Sequence, residues 1–316
     1  MKQAVILLNM GGPNNLNEVE MFLTNMFDDP NILTMKSALL RKFVGSMITF
    51  SRTESAQEIY SQLGGKSPIV GHTKKLVSSL QQRFDENTYV DFVMRYTPPF
   101  ASDVVEKLKA LNVEKIFLLP LYPQYSTTTT KSSLEDFEEA LQRSGLDAIL
   151  VETKHYFENI LLNKAIVNSI RETVSDDESD SFDLIFSAHG LPQKIVDAGD
   201  PYERHVRRHV ALIQEELRTQ GVKFNAVHLA YQSKIGPMKW LEPALDSTLK
   251  SMLNKKVVIY PIAFTVDNSE TDFELGVEYE EVAQEQGFSE YRVCKCLNDD
   301  TLFVDALYDI YEKMDA

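Results

Sequence analysis

The sequence predicts an α/β protein built from two doubly wound domains. Three observations carry this reading. At 316 residues the chain is too long for one ordinary core and long enough for two. Short apolar runs recur along it, at residues 4–8, 89–94, 115–119 and 148–152, then at 184–187, 226–230, 257–261 and 291–293. Longer amphipathic patterns separate them, and strands alternating with helices imply βαβ units and a parallel sheet. The eight strands fall into two groups of four, so the domains are expected at 1–160 and 161–316, joined near 155–175. No internal sequence repeat is visible.

Local signals support the helices. Leu16, Val19, Phe22, Leu23 and Met26 recur at spacings of three and four, with Asn14 or Asn15 as cap. Ser133 with Asp136 resembles a capping box ahead of a helix running through Leu141. The acidic, serine-rich stretch 174–181 reads as a solvated loop.

Composition narrows the function. Hydrophobic residues make up 43% and charged residues 25%, the profile of a soluble globular protein. No apolar run approaches the roughly 18 residues of a membrane span. The chain passes from Met1-Lys2-Gln3 straight into a strand-like run without the zones of a signal peptide, so a cytoplasmic location is expected. A net charge of −15 argues against a nucleic-acid partner. Cys294 and Cys296 are too few for a disulfide framework or an iron–sulfur site. They read as packed apolar side chains or as a weak thiol pair on one strand face. Acid is unevenly spread: residues 30–53 contain no Asp or Glu but include Lys36, Arg41, Lys42 and Arg52.

Several chemistries lack their signatures. No G-x-G-x-x-G occurs, and no H-E-x-x-H or G-x-S-x-G. Gly65-Lys66-Ser67 looks like the end of a P-loop, but the first glycine of that motif would fall at Tyr60.

In doubly wound folds ligands bind beyond the carboxyl ends of the strands. The loops there read Asn9-Met10-Gly11-Gly12-Pro13, Arg95-Tyr96-Thr97-Pro98, Pro120-Leu121-Tyr122-Pro123-Gln124-Tyr125-Ser126, Ser187-Ala188-His189-Gly190-Leu191-Pro192, and Phe264-Thr265-Val266-Asp267-Asn268-Ser269-Glu270. Their aromatic residues, single Arg, single His and carboxylates suit a flat apolar ligand with polar edges. His189 stands out among six histidines by its place at a strand end before a glycine. It can take a proton or bind a metal there, or simply bond to a loop carbonyl. His205 and His209, four apart among arginines, read as surface residues. Glu270, Glu274 and Glu278 form a slowly winding row if the segment is α-helical. Such a row is either a solvated acidic face or a path for a cation or protons.

Together these segments resemble the ferrochelatase family, from about residue 4 to 303. The carriers are the loops above together with Gly64-Gly65-Lys66-Ser67-Pro68, Gln232-Ser233-Lys234-Ile235-Gly236-Pro237, Trp240-Leu241 and Pro261-Ile262-Ala263-Phe264 leading to Ser269-Glu270-Thr271. The resemblance implies two similar α/β domains, each with a four-stranded parallel sheet flanked by helices, and a porphyrin cleft between them. It implies insertion of Fe(2+) into protoporphyrin IX with release of two protons, the terminal step of haem biosynthesis. His189 and Glu270 match the family's catalytic, metal-insertion pair. Arg95, Tyr96, Tyr125, Trp240 and Phe264 match cleft residues, and Asp267, Glu274 and Glu278 match a proton or metal path. Met10 stands where relatives acting on coproporphyrin carry Tyr, so the chain is similar to the protoporphyrin-using branch. It departs from the family's Asp-His-x-Glu-Thr in having Asn268 for the histidine. It also lacks the extra cysteines of cluster-bearing relatives, so no permanently bound cofactor and no iron–sulfur cluster are expected.

The acid-free window has two readings. Leu39, Leu40, Phe43, Val44, Met47 and Ile48 are a core-facing stripe beside solvated basic residues. Alternatively, residues 36–52 form a lip that meets porphyrin propionates or makes peripheral contact with an anionic bilayer. Two rival functions stand beside the main one: a non-catalytic tetrapyrrole carrier, and a chelatase for another metal or tetrapyrrole.

Overall fold

A computed structural model of the chain describes all residues except 235 and 237, so Ile235 and Pro237 of the 232–237 segment lie outside the described residues. Among the described residues eight strands form two sheets: β1 (Gln3–Asn9), β2 (Thr88–Met94), β3 (Lys115–Pro120) and β4 (Ile149–Glu152), then β5 (Asp183–His189), β6 (Ala226–Gln232), β7 (Lys256–Pro261) and β8 (Glu290–Val293). The sheet orders are β2-β1-β3-β4 and β6-β5-β7-β8, with every pair parallel. Eight apolar runs thus become eight strands. Parallel strands covered on both faces read as continuous hydrophobic stretches. In β1, residues Ala4 to Leu8 are at most 1% exposed.

The helices are α1 (Val19–Asp28), α2 (Ala38–Gln62), α3 (Ile69–Gln81), α4 (Ala101–Ala110), α5 (Ser132–Ser144), α6 (Ile160–Thr173), α7 (Gln193–Asp197), α8 (Tyr202–Thr219), α9 (Leu245–Ser251), α10 (Tyr279–Glu285) and α11 (Thr301–Asp315). Two π-helices, Thr127–Lys131 and Glu270–Glu278, follow β3 and β7, which occupy the same place in their respective sheets. On one face of the first sheet Ala4, Ile6 and Leu8 pack with Val104, Leu108 and Phe137. In the second, Ile185, Val257 and Ile259 pack with Leu245, Leu249 and Leu275.

The chain divides into two compact units, residues 1–155 with 307–316, and residues 156–306. The sequence-based boundary at 160/161 falls just inside the second unit and misses the return of the C-terminus. That return has a physical cause. Tyr311 of α11 packs edge-on against Phe84 and Phe117, and its hydroxyl donates to Gln3 Oε1 at 2.8 Å. Lys115 pairs with Asp315 at 2.5 Å.

Three local expectations change. Asn15 does cap the turn before α1, its side chain accepting from the Asn17 N–H. Ser133, however, lies inside α5, which starts at Ser132 directly after the π-helix and has no side-chain cap. His209 is fully enclosed rather than on the surface, with Nε2 2.9 Å from Asn163 Oδ1. Burial pushes its imidazole down from 6.5 to about 3. The unfolded chain therefore binds one more proton than the native state between these values. Stability should fall by about 1.4 kcal/mol per pH unit as pH drops below 6.5. Urea unfolding of His209→Gln, which keeps a donor for Asn163, should show a flatter acid slope than wild type. Identical slopes would refute the assignment.

The third change concerns α2. Leu39 is 84%, Leu40 53%, Phe43 64% and Met47 59% exposed, so most of the stripe faces away from the core, and so does neighbouring Phe50, while Val44 is half-buried and Ile48 packs against the α1 cluster. Only Gly45, Thr49 and Tyr60 of α2 are buried. Gly45 explains the close approach of α2 to α1: a Cβ there would lie 3.1 Å from the Phe27 carbonyl oxygen.

Candidate active site

The chain order of the second sheet reverses between β5 and β7, and this is where an open α/β sheet leaves a crevice at its carboxyl edge. His189 is the last residue of β5, and Glu270 opens the π-helix after β7. Their side chains meet there, with Nδ1 2.7 Å from Oε2. Gly190 is required beside them. Its N–H donates to the Gln232 carbonyl at 2.9 Å, and a Cβ would sit 2.8 Å from that same oxygen. The His189 main chain is tied down as well, its carbonyl accepting from the Tyr202 hydroxyl at 3.0 Å.

The π-helix sets the carboxylates. Its i→i+5 bonding takes more than four residues per turn, so Glu274 falls just short of one turn from Glu270 instead of overshooting as in an α-helix. Glu274 is gripped by neighbours the sequence reading had not assigned to the site. Ser233 donates its N–H to Oε1 at 2.8 Å and its hydroxyl to Oε2 at 2.6 Å, and Gln232 Nε2 donates to Oε2 at 3.1 Å. The Ser233 hydroxyl also lies 3.2 Å from Glu270 Oε2. The β5–β6 register explains this, because Gln232 pairs with His189 and Ser233 follows it.

Burial and charge act against each other on these groups. Burial pulls the His189 imidazole down, but the charge and hydrogen bond of Glu270, with the charge of Glu274, together offset it and hold the group above its ordinary value. Burial raises Glu270, and the charge and hydrogen bond of His189 bring it below the usual carboxylate range. Glu274 has no such cation in contact. Burial, then repulsion from Glu270, lift it to about 7 against the donors on Ser233 and Gln232. Glu278 is exposed, and what burial it has, with repulsion from Glu281, raises its carboxyl above the ordinary value.

Asn268 has a structural place. Its Oδ1 accepts the Glu270 N–H at 2.8 Å, and its Nδ2 donates to the Val266 carbonyl at 3.1 Å. It thereby holds the N–H of the first residue of the π-helix. Asp267 is buried and turned to the protein, accepting from Thr271 Oγ1, Cys296 N–H and Asn298 Nδ2. None of those bonds reaches His189, Glu270 or Glu274. Trp240 and Phe264 are half-buried, and Trp240 bridges to Pro192 just after the His189 loop.

A model of the ferrochelatase family matches residues 2–315. The chain belongs to the ferrochelatase family. The ferrochelatase of Sulfurimonas denitrificans is 63% identical over 313 residues, 99% of each chain. That of Nitratiruptor sp. is 50% identical over 312 residues, 99% of this chain and 100% of the relative. Among solved structures, SirB from Bacillus subtilis with Fe3+ aligns at a TM-score of 0.59, covering 100% of this chain and 96% of its own. With 12% identity, that likeness speaks to the fold alone. The enzyme is therefore a lyase that inserts iron into a porphyrin in haem biosynthesis.

The other residues matched to ferrochelatase cleft positions lie in the first unit. Met10 packs partly buried against a cluster that includes Phe22 and Tyr96. Tyr96 is 3% exposed and donates its hydroxyl to Asp29 at 2.8 Å. Arg95 lies over the Tyr96 ring and reaches Asp29, Asp136 and Ser132. Tyr125 is half-buried. The structure thus joins Met10, Arg95 and Tyr96 into one packed group, and joins His189, Glu270 and Glu274 into another. A cavity of about 490 Å³ opens beside the first group, lined by residues that include Asp29, Arg95, Phe100 and Asp136.

Proposed function

We propose that the enzyme inserts Fe(2+) into protoporphyrin IX, with His189 accepting pyrrole protons and Glu270 serving as its partner and as an oxygen ligand for the incoming iron. The 2.7 Å contact between Nδ1 and Oε2 at the sheet's reversal point carries this reading. With Nδ1–H committed to Glu270, Nε2 is the nitrogen left to take a proton. The carboxylate then stabilises the imidazolium that forms, as the raised His189 pKa expresses. Oε2 of Glu270 takes the bonds from His189 and Ser233, which leaves Oε1 for a cation. Imidazole and carboxylate donors suit Fe(2+) without selecting it strongly over zinc or cobalt. Protons then pass toward Glu274 and out past exposed Glu278, with Asp267 anchoring the loop that starts the π-helix.

The choice of porphyrin rests on Met10, an apolar side chain where coproporphyrin-using relatives carry Tyr. Anaerobic Fe(2+) insertion followed by absorbance should run faster on protoporphyrin IX than on coproporphyrin. Faster metallation of coproporphyrin would overturn that choice, and tight binding without metallation would point to a carrier. The same reading includes no resident cofactor or cluster. Cys294 and Cys296 are both buried, and burial pushes the Cys294 thiol up to about 12, which disfavours the thiolate that a metal needs.

Among the described residues no helix is long and apolar enough to cross a membrane. The exposed stripe of α2 fits a peripheral contact by a cytoplasmic enzyme. Leu39, Phe43, Met47 and Phe50 stand beside Lys36 and Lys42, while Arg41 is folded back onto the Asp28 carbonyl at 2.7 Å. Each large apolar side chain contributes about 1.5–3 kcal/mol when fully immersed. Phe43→Glu with Phe50→Glu should therefore weaken binding to anionic vesicles by about 10²–10⁴-fold in a co-sedimentation titration. Wild-type protein that stays in the supernatant would remove the membrane from this reading.

A further inference from the structure

Ser233 follows the last residue of β6 with its backbone in the left-handed region, at φ 65°. That conformation is uncommon for a residue bearing a Cβ, whereas glycine takes it without penalty. What serine offers there and glycine does not is a hydroxyl. The hydroxyl stands between two carboxylates, 2.6 Å from Glu274 Oε2 and 3.2 Å from Glu270 Oε2. Gln232 supports the same arrangement from full burial. Its Oε1 accepts from Ser187 Oγ at 2.7 Å, which orients the amide so that Nε2 faces Glu274.

We propose that Ser233 is a positioning residue for iron insertion, its hydroxyl tying Glu274 to Glu270 so that both carboxylates stay fixed beside His189. This deepens the reading of His189 and Glu270 given above and rests on it. Two carboxylates almost one helical turn apart repel each other. The one hydroxyl hydrogen, shared as a three-centre bond between Glu274 Oε2 and the more distant Glu270 Oε2, offsets part of that repulsion. Without the hydroxyl, Glu274 retains the Ser233 N–H and the Gln232 amide, whereas Glu270 Oε2 retains only His189. The effect should therefore fall on turnover at Glu270 and not on porphyrin affinity.

The test compares Ser233→Gly, Ser233→Ala and His189→Ala in the full-length enzyme. It measures anaerobic Fe(2+) insertion, porphyrin binding by fluorescence quenching, and thermal unfolding. Both serine variants should lose about ten-fold in kcat, the scale of outer-shell partners at metal sites, with the porphyrin KM unchanged. Ser233→Gly should be at least as stable as Ser233→Ala, since both lose the hydroxyl and glycine also relieves the left-handed Cβ. Wild-type kcat in Ser233→Gly would overturn the proposal. So would a slow Ser233→Ala beside a fast Ser233→Gly, or a raised porphyrin KM at unchanged kcat. A fully active His189→Ala would instead sink the underlying reading. An inactive His189→Ala with an unimpaired Ser233→Gly would sink this inference alone.

Discussion

Replacing His189 with alanine is expected to lower metallation by about 10²–10⁴-fold while porphyrin binding persists, because it deletes a positioned proton acceptor. Glu270→Gln should act through the same imidazole. In the wild type burial lowers the His189 pKa, but Glu270 and Glu274 together hold it above its ordinary 6.5. Only the neutral ring accepts a proton, so kcat/KM for porphyrin should rise with pH through that raised pKa and be lost below it. Glutamine removes the attraction to Glu270 and leaves the burial opposed only by Glu274, so the imidazole pKa moves down from its wild-type position. The acid limb should then move to lower pH, while the plateau falls because the imidazolium is no longer stabilised. An acid limb that stays in place would show that Glu270 does not govern His189.

Stability and turnover should have different pH optima at this pair. A group with a raised folded pKa contributes stability that is fully present below its unfolded value, here 6.5, and is lost as pH rises through the folded pKa. Glu270 has a lowered folded pKa, so its contribution is present above 4.5 and is lost as pH falls through the folded value. The ion pair is thus most stabilising between 4.5 and 6.5, on the acid side of the range in which a neutral His189 works.

The largest stability effect is expected from Arg95→Met. The Asp29 side chain is 0% exposed and accepts from the Tyr96 hydroxyl at 2.8 Å, the Asn31 N–H at 2.7 Å and Ser132 Oγ. Arg95 supplies the nearby cation, 3.3 Å from Asp29 and 3.3 Å from Asp136. Its removal leaves one enclosed carboxylate without countercharge. It also frees Asp136, already raised by burial, to rise further. Breaking a buried pair from one side costs about 3–5 kcal/mol. Urea titration should show that loss, and Arg95→Lys should recover only part of it, since an ammonium lacks the fork that spans two carboxylates. Unchanged stability with a raised porphyrin KM would make Arg95 a ligand-binding residue instead.

Much of this was legible before folding. The strands could be read because a parallel strand covered on both faces must be apolar along its whole length, as residues 4–8 and 257–259 are. His189 was visible as the end of such a run before a glycine that the neighbouring carbonyl requires. The family could be read from the strand-end loops, whose residue types follow from what sits at the carboxyl edge.

Sequence period, however, reports which face a residue occupies along its own element and nothing about a neighbour far away in the chain. His189 and Glu270 are 81 positions apart and meet only because β7 lies beside β5. Ser233 joins them through the register of β6, and the π-helix that spaces Glu270 from Glu274 carries the same residue pattern as an α-helical row. Likewise, the helical spacing of Phe43 and Met47 is identical whether that face meets a core or solvent, and α2 shows it exposed. His209 went inside because Asn163 on α6 gave its ring nitrogen a partner. The strands, their strand-end loops and the family are legible in local runs of residues. Which loops share an edge depends on strand order, a property of the packed sheets and not of any local run.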